Sequence, residues 1–176
     1  SSLTKISIPS SVYKIGESTF DGIKALEIIG DIRMIHDSMF KECSSLKEII
    51  FPSTVTKIKN KAFFGCTSLK QITIPSSVTK IGDYAFSECS SLTQISIPSS
   101  VKKIGIDVFQ GIESLEIVGD IKIIHDFMFK KCSLLEQIKI PSSVTKIGNY
   151  AFVDCSSLAQ ISIPSSVKKI GINAFI

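Results

Sequence analysis

The chain alternates short apolar runs with polar residues, and the whole pattern returns about every 23 residues. One period, residues 76–98, reads SSVTKIGDYAFSECSSLTQISIP. Its apolar positions are the same in almost every copy, whereas the residues between them vary. A fixed period of this length predicts a solenoid, in which each copy forms one turn of a coil and buries its apolar side chains against its neighbours.

One leucine marks each copy, and the copies are numbered from one to eight by Leu3, Leu26, Leu46, Leu69, Leu92, Leu115, Leu135 and Leu158. The steps between them are 23, 20, 23, 23, 23, 20 and 23 residues. Residues 1–87 align on 90–176 with 57 identities in 87 positions, so a block of four copies has been duplicated. We predict one solenoid over 1–176, with about eight turns in two blocks, 1–89 and 90–176. Because the chain starts and stops within a copy, we expect a piece of a longer protein and open ends that favour end-to-end association.

The periodicity within a copy predicts its local structure. Residues 94–97, Gln-Ile-Ser-Ile, alternate polar and apolar, which indicates a short strand with Ile95 and Ile97 facing inward. Pro98 and two serines end that strand, since proline cannot donate to a strand ladder. Residues 101–104 predict a second, shorter extended segment.

Two polar positions follow the second segment. A glycine comes first, and we expect positive φ there; these residues are Gly16, Gly82, Gly105, Gly148 and Gly171. An Asp or Asn follows in five copies, and we expect it to cap one turn of α or 3₁₀ helix; these residues are Asp37, Asn60, Asp83, Asp126 and Asn149. The two 20-residue copies have a Gly-Asp corner in place of the proline corner, so their strand register stays open and a local kink is expected.

Two surfaces are candidates for binding. The first is the outward side of the strands, for which we select Gln71, Thr73, Gln94, Ser96, Gln137, Lys139 and Gln160. The second is a basic stripe in the second segment, formed by Lys14, Lys57, Lys80, Lys103, Lys146 and Lys169. Lysines one turn apart lie within a Debye length of each other, and the stripe suits an anionic partner. For both surfaces the alternative is a solvated sheet face with no partner.

The sequence offers few candidates for a catalytic site. His36 and His125 each precede an aspartate, but adjacent side chains diverge and do not form a relay, so we interpret both histidines as turn residues. The five cysteines, Cys43, Cys66, Cys89, Cys132 and Cys155, share one repeat position that isoleucine fills elsewhere. We interpret them as buried free thiols, with disulfides or a metal as the alternatives. We expect no enzyme, no cofactor, no nucleic-acid partner and no membrane span in this segment.

The consensus of the copies, L-x-x-I-x-I-P-S-S-V-x-K-I-G-x-x-A-F-x-x-C-S-S, resembles the BspA-like leucine-rich repeats. The resemblance covers nearly the whole chain, and only the two short copies depart from it. It implies a right-handed, curved leucine-rich-repeat solenoid with strands on one face and short helical turns on another. It also implies a non-enzymatic protein of a cell surface, or a secreted one, that takes part in adhesion to host cells or extracellular matrix through a protein or glycan partner. The alternative is a cytoplasmic scaffold that binds a protein partner.

Overall fold

The computed structural model describes residues 3–12, 15–16 and 19–176, and the chain winds through them as a parallel β-solenoid of about seven turns. Every strand pair is parallel and joins one copy to the next. The repeat solenoid predicted from the sequence is therefore confirmed. In chain order the strands are β1 (Lys5–Ser7), β2 (Ala25–Ile29), β3 (Met34–Ile35), β4 (Glu48–Ile50), β5 (Lys57–Ile58), β6 (Gln71–Thr73), β7 (Lys80–Ile81), β8 (Gln94–Ser96), β9 (Lys103–Ile104), β10 (Ser114–Val118), β11 (Ile123–Ile124), β12 (Gln137–Lys139), β13 (Lys146–Ile147) and β14 (Lys169–Ile170).

The strands form two faces. The strand face is the outer side of two sheets, ordered β1-β2-β4 and β6-β8-β10-β12. The short-strand face is the outer side of the other two, ordered β3-β5-β7-β9 and β11-β13-β14. Each face is thus interrupted once, between β4 and β6 on the first and between β9 and β11 on the second. As the alternation predicts, Ile95 and Ile97 are buried beneath the strand face.

The short copies shift the register of the strand face. In β10, Ile117 pairs with Ile95 of the preceding copy, whereas Leu115 pairs with Ile138 of the following one. Ile95 and Ile138 hold the same repeat position, so the ladder slips by two residues within this five-residue strand. The strand β2 does the same in the first block. The sequence left this register open, and the slip is how a shorter copy stays paired on both sides.

The Gly-Asp corner of each short copy caps the proline corner of the copy before it. Asp120 accepts hydrogen bonds from the Ser99 backbone N–H and from Ser99 Oγ, both at 2.7 Å. Asp31 makes the same pair of contacts with Ser10. These hydrogen bonds lower the pKa of both carboxyl groups. The missing residues are therefore replaced by side-chain contacts to the neighbouring turn.

A continuous stack of phenylalanine rings runs through the core. Neighbouring ring centroids lie between 4.8 and 6.0 Å apart, along Phe20, Phe40, Phe63, Phe86, Phe109, Phe129, Phe152 and Phe175. Stacked aromatic pairs contribute about 0.5–1.5 kcal/mol each beyond the burial of their surface. The stack and the buried leucines and isoleucines around it form one continuous hydrophobic core.

The prediction of positive φ for the glycine after the second segment is wrong. None of these five glycines lies in the left-handed region. In four of them the constraint is instead close contact with the preceding copy; a Cβ on Gly82 would lie 2.6 Å from the backbone nitrogen of Asn60. Glycine is thus selected at these four positions by the distance between turns and not by its backbone dihedral.

The prediction of an Asx-capped helical turn is also wrong. The Asx side chain instead accepts a hydrogen bond from the backbone N–H at the same position of the next copy, as Asn60 Oδ1 does from Asp83 at 3.0 Å. The next residue has positive φ, for example 55° at Tyr84. Left-handed residues break a right-handed helix, so hydrogen-bonded turns take its place in the part of the chain that the structure describes.

Candidate binding surfaces

The strand face carries a hollow of about 390 Å³ at the interruption between β4 and β6. Phe51 occupies the corner position where other full-length copies have isoleucine, and its ring packs edge-on against Phe63 at 5.8 Å. The larger corner side chain and the interruption between β4 and β6 thus occur in the same copy. Ile50, 54% exposed, and Val118 add to the apolar wall of the hollow.

Four of the seven residues selected on the strand face line this hollow. Gln71 pairs in register with Gln94, and Thr73 pairs with Ser96. The other three lie elsewhere: Gln137 and Lys139 belong to β12 and line a smaller depression of about 230 Å³, and Gln160 is exposed in copy eight, outside the strands. The structure therefore separates the selected residues into two groups and one isolated residue.

Glu116 connects the two depressions. It lies in β10, opposite Gln94 on one side and Lys139 on the other. Gln94 Nε2 donates to Glu116 Oε2 at 3.0 Å, and Lys139 Nζ donates to Glu116 Oε1. The hydrogen bond from Lys139, followed by that from Gln94, lowers the pKa of the Glu116 carboxyl. This residue orders the polar side chains across three strands of the face.

Sequence reasoning did not select Glu116, Phe51 or Val118. Glu116 and Val118 belong to a short copy, whose strand register could not be assigned from the sequence. Phe51 was visible as the single departure from isoleucine at the corner position, and that substitution was the available signal for the hollow.

The lysine stripe lies on the short-strand face. We use this name for Lys57, Lys80, Lys103, Lys146 and Lys169, because Lys14 falls outside the described residues. Lys57, Lys80 and Lys103 pair in register across β5, β7 and β9, and Lys146 pairs with Lys169. Ile123 interrupts the stripe at β11, next to Lys146. The predicted column is present as two segments with an isoleucine between them.

The histidines bridge the short copies to the copies before them. His36 Nε2 lies 2.9 Å from the carbonyl oxygen of Val12. His125 makes the equivalent hydrogen bond to Val101, while burial, the larger effect, lowers the pKa of its imidazole. Both histidines therefore fasten an irregular junction, which is a more specific role than that of the turn residues expected from the sequence.

The five cysteines are free thiols, four of them buried and Cys155 half-buried. Cys66 Sγ donates to the carbonyl oxygen of Phe40 in the preceding copy at 3.1 Å, and Cys89 and Cys132 repeat the contact with Phe63 and Phe109. Burial raises the pKa of the Cys43 thiol to about 12. Across the described ranges, no group of three or more His, Cys, Asp and Glu side chains is placed to hold a metal ion.

The stacked parallel turns define a leucine-rich-repeat solenoid, and the comparison with protein families specifies it further. The BspA type leucine rich repeat region matches residues 1–116 and 111–176 in six copies. The chain belongs to the BspA-type leucine-rich repeat family. No curated protein matches it. In residues 3–12, 15–16 and 19–176 there is no helix of the length and apolarity that crossing a bilayer requires.

Among the solved structures that are similar to the chain are two leucine-rich repeat proteins. A leucine rich repeat protein of T. pallidum, TpLRR, is 27% identical with a TM-score of 0.66, over 90% of this chain and 79% of that one. A leucine-rich repeat protein of Eubacterium ventriosum ATCC 27560 is 25% identical with a TM-score of 0.67, over 98% of this chain. The chain spans only 58% of the length of that second protein.

Proposed function

We propose that this chain is a non-enzymatic binding module of a cell surface, which attaches to host cells or extracellular matrix by holding a protein partner on its strand face. The observation that carries the proposal is the hollow between β4 and β6. It joins an apolar wall to a row of amide and hydroxyl side chains, and such an arrangement suits a buried apolar anchor surrounded by hydrogen bonds. Membership of the BspA-type family supports a binding role.

The hollow suits the side chain of a protein better than a reacting substrate. Its walls include Ile50, Phe51 and Pro75, which offer apolar contact, and Gln71, which offers an amide. Histidine is the residue type that most often serves as a general base. Here the side chains of His36 and His125 instead make hydrogen bonds to the backbone of Val12 and of Val101. These contacts support binding without catalysis.

The experiment measures capture of the chain on purified extracellular-matrix proteins and on intact host cells. The test variant is Thr73→Arg, which places a long charged side chain in the hollow from an exposed strand position. The matched control is Ser162→Arg, at the same repeat position in copy eight and also exposed. We expect binding by the wild type and the control and at least a tenfold loss in Thr73→Arg.

The same variants separate the surface role from the alternative of an intracellular scaffold. Capture of a partner from the lysate of the producing cell, lost in Thr73→Arg, together with no binding to matrix or host cells, would replace the adhesion role with the scaffold role. Equal binding by both arginine variants would show that the hollow is not the site. Turnover of a substrate in an unbiased screen would contradict the non-enzymatic assignment.

A further inference from the structure

We propose that the short-strand face holds a second binding site, which takes an anionic glycan chain in the gap between copies five and six. We call this gap the basic seam. It is an opening of about 580 Å³ at the place where β9 and β11 are not paired. Its apolar part consists of Ile104, Ile106 and Ile123, of which Ile106 is 42% and Ile123 36% exposed. The site is distinct from the hollow of the strand face and does not depend on it.

Positive charge dominates the basic seam. Four lysines line it, Lys80, Lys102, Lys103 and Lys146, against two aspartates. The aspartates already serve the backbone: Asp83 Oδ1 accepts from the N–H of Ile106 at 3.0 Å, and Asp126 Oδ1 accepts from the N–H of Asn149 at 2.8 Å.

None of the four seam lysines is ion-paired with another described residue. Lys102 Nζ donates to the carbonyl oxygen of Ser99, and that contact leaves its charge uncompensated. The seam therefore has cations in excess of its anions, and the anions present are held by the backbone. An anionic ligand would supply the missing partners.

His125 also lines the seam, between lysines of the two neighbouring copies. Burial is the largest effect on its imidazole and lowers the pKa. The hydrogen bond to Val101 and the carboxylate of Asp126 act to raise that pKa, and the charges of Lys146, in the following copy, and Lys102, in the preceding copy, act to lower it. The seam thus draws its lysines from the copies on both sides of His125.

The shape of the charged region favours a linear glycan over a bilayer or a nucleic acid. The lysine stripe continues from the seam in both directions along the solenoid, with one lysine per turn at a strand spacing of about 4.8 Å. The exposed isoleucines suit the C–H faces of sugar rings, and no Phe, Tyr or Trp side chain among the described residues lines the seam to stack a base. A column that is one lysine wide matches a single linear chain better than the extended plane of a bilayer.

The test titrates the chain with two decasaccharides. Heparin carries both sulfate and carboxylate groups, whereas hyaluronan carries carboxylate groups alone. The test variant is Lys80→Gln/Lys103→Gln/Lys146→Gln. The matched control is Lys24→Gln/Lys47→Gln/Lys70→Gln, which removes three exposed lysines that directly precede β2, β4 and β6. These lysines also lie in neighbouring turns, since the Lys47 backbone N–H donates to the Lys24 carbonyl oxygen. We expect one or both glycans to bind the wild type, the test variant to lose at least tenfold in affinity and the control to lose less than twofold.

Several outcomes would overturn the proposal. Equal losses in the two triple variants would indicate unspecific attraction to net charge, and no loss in the test variant would exclude the seam. Binding of vesicles of phosphatidylcholine and phosphatidylserine, or of dT20, without binding of either glycan would assign the surface to another partner. If the triple variant does not fold, Ile123→Glu is used instead, because it inserts one opposing charge at a half-exposed position; it too is expected to reduce glycan affinity tenfold. Thr73→Arg is expected to bind the glycan as the wild type does.

Discussion

The stacked phenylalanines allow a quantitative test of what holds the turns together. Phe86 is 0% exposed, and its ring lies between those of Phe63 at 5.3 Å and Phe109 at 6.0 Å. Replacing a buried phenylalanine by alanine costs about 3–5 kcal/mol, from lost burial and from the cavity left behind. Because Phe86→Ala also removes two stacked pairs, we expect about 4–5 kcal/mol, a large share of the roughly 5–15 kcal/mol that keeps a domain folded.

Two further variants separate the contributions. Phe86→Leu keeps most of the apolar volume but not the stacking, so we expect a loss of about 1–2 kcal/mol. Phe175 is 42% exposed and, within the part of the chain that the structure describes, stacks only on Phe152, at 5.3 Å, so we expect Phe175→Ala to cost about 1 kcal/mol. The same substitution thus has a cost that depends on its place in the stack.

The assay is equilibrium unfolding in urea, followed by far-ultraviolet circular dichroism because the chain has no tryptophan. In a one-dimensional array, damage at a central turn also uncouples the two ends, so the transition of Phe86→Ala should broaden as well as shift. If the free energies of unfolding of Phe86→Ala and Phe175→Ala differ by less than about 1 kcal/mol, the ring stack is not what joins the copies.

Three other predictions concern protonation and access. The lowered pKa of His125 means that below pH 6.5 the unfolded chain binds more protons than the folded chain, so the free energy of unfolding should fall as the pH drops from 7 to 5. His125→Gln should flatten this dependence on pH, measured by urea titrations, and an unchanged slope would contradict the assignment. The lowered pKa of Asp120 gives stability that is present above its ordinary value of 3.8 and is lost as the pH falls through the folded value; Asp120→Asn, which cannot accept both hydrogen bonds from Ser99, should have a lower Tm at neutral pH and a weaker acid dependence, measured by circular dichroism. Burial of Cys43 should prevent its alkylation at pH 8 in the native state, with Cys155 reacting first in peptide mass spectrometry; rapid labelling of Cys43 would show that the thiol is accessible.

Both proposed sites lie where the repeat is irregular. The hollow of the strand face coincides with Phe51, which replaces the isoleucine of the other full-length copies at the corner position, and the basic seam coincides with the junction to a 20-residue copy. A regular repeat stacks into a flat and monotonous surface, because each turn presents the same side chains at the same spacing. The two concave regions form instead where neighbouring strands are not paired, between β4 and β6 and between β9 and β11.

The sequence alone determined the solenoid and the residues that fill it. A copy of about 23 residues cannot bury its apolar side chains by itself, so the period requires stacking, and the alternation at Gln94–Ile97 assigns the inward residues. The register of β5, β7 and β9 also follows from the repeat, because equal copies place equal residues side by side, which is why Lys57, Lys80 and Lys103 form a column.

Only the tertiary structure decided what lies between unequal copies. The two-residue slip in β10, the close approach at Gly82 and the bridge from His125 to the preceding copy all depend on distances between turns that are some twenty residues apart in the chain. A local sequence pattern indicates the conformation that one segment prefers, but it does not give the distance between that segment and the adjacent turn. For this reason the positions of the glycines and Asx residues were found in the sequence, but their physical roles were not.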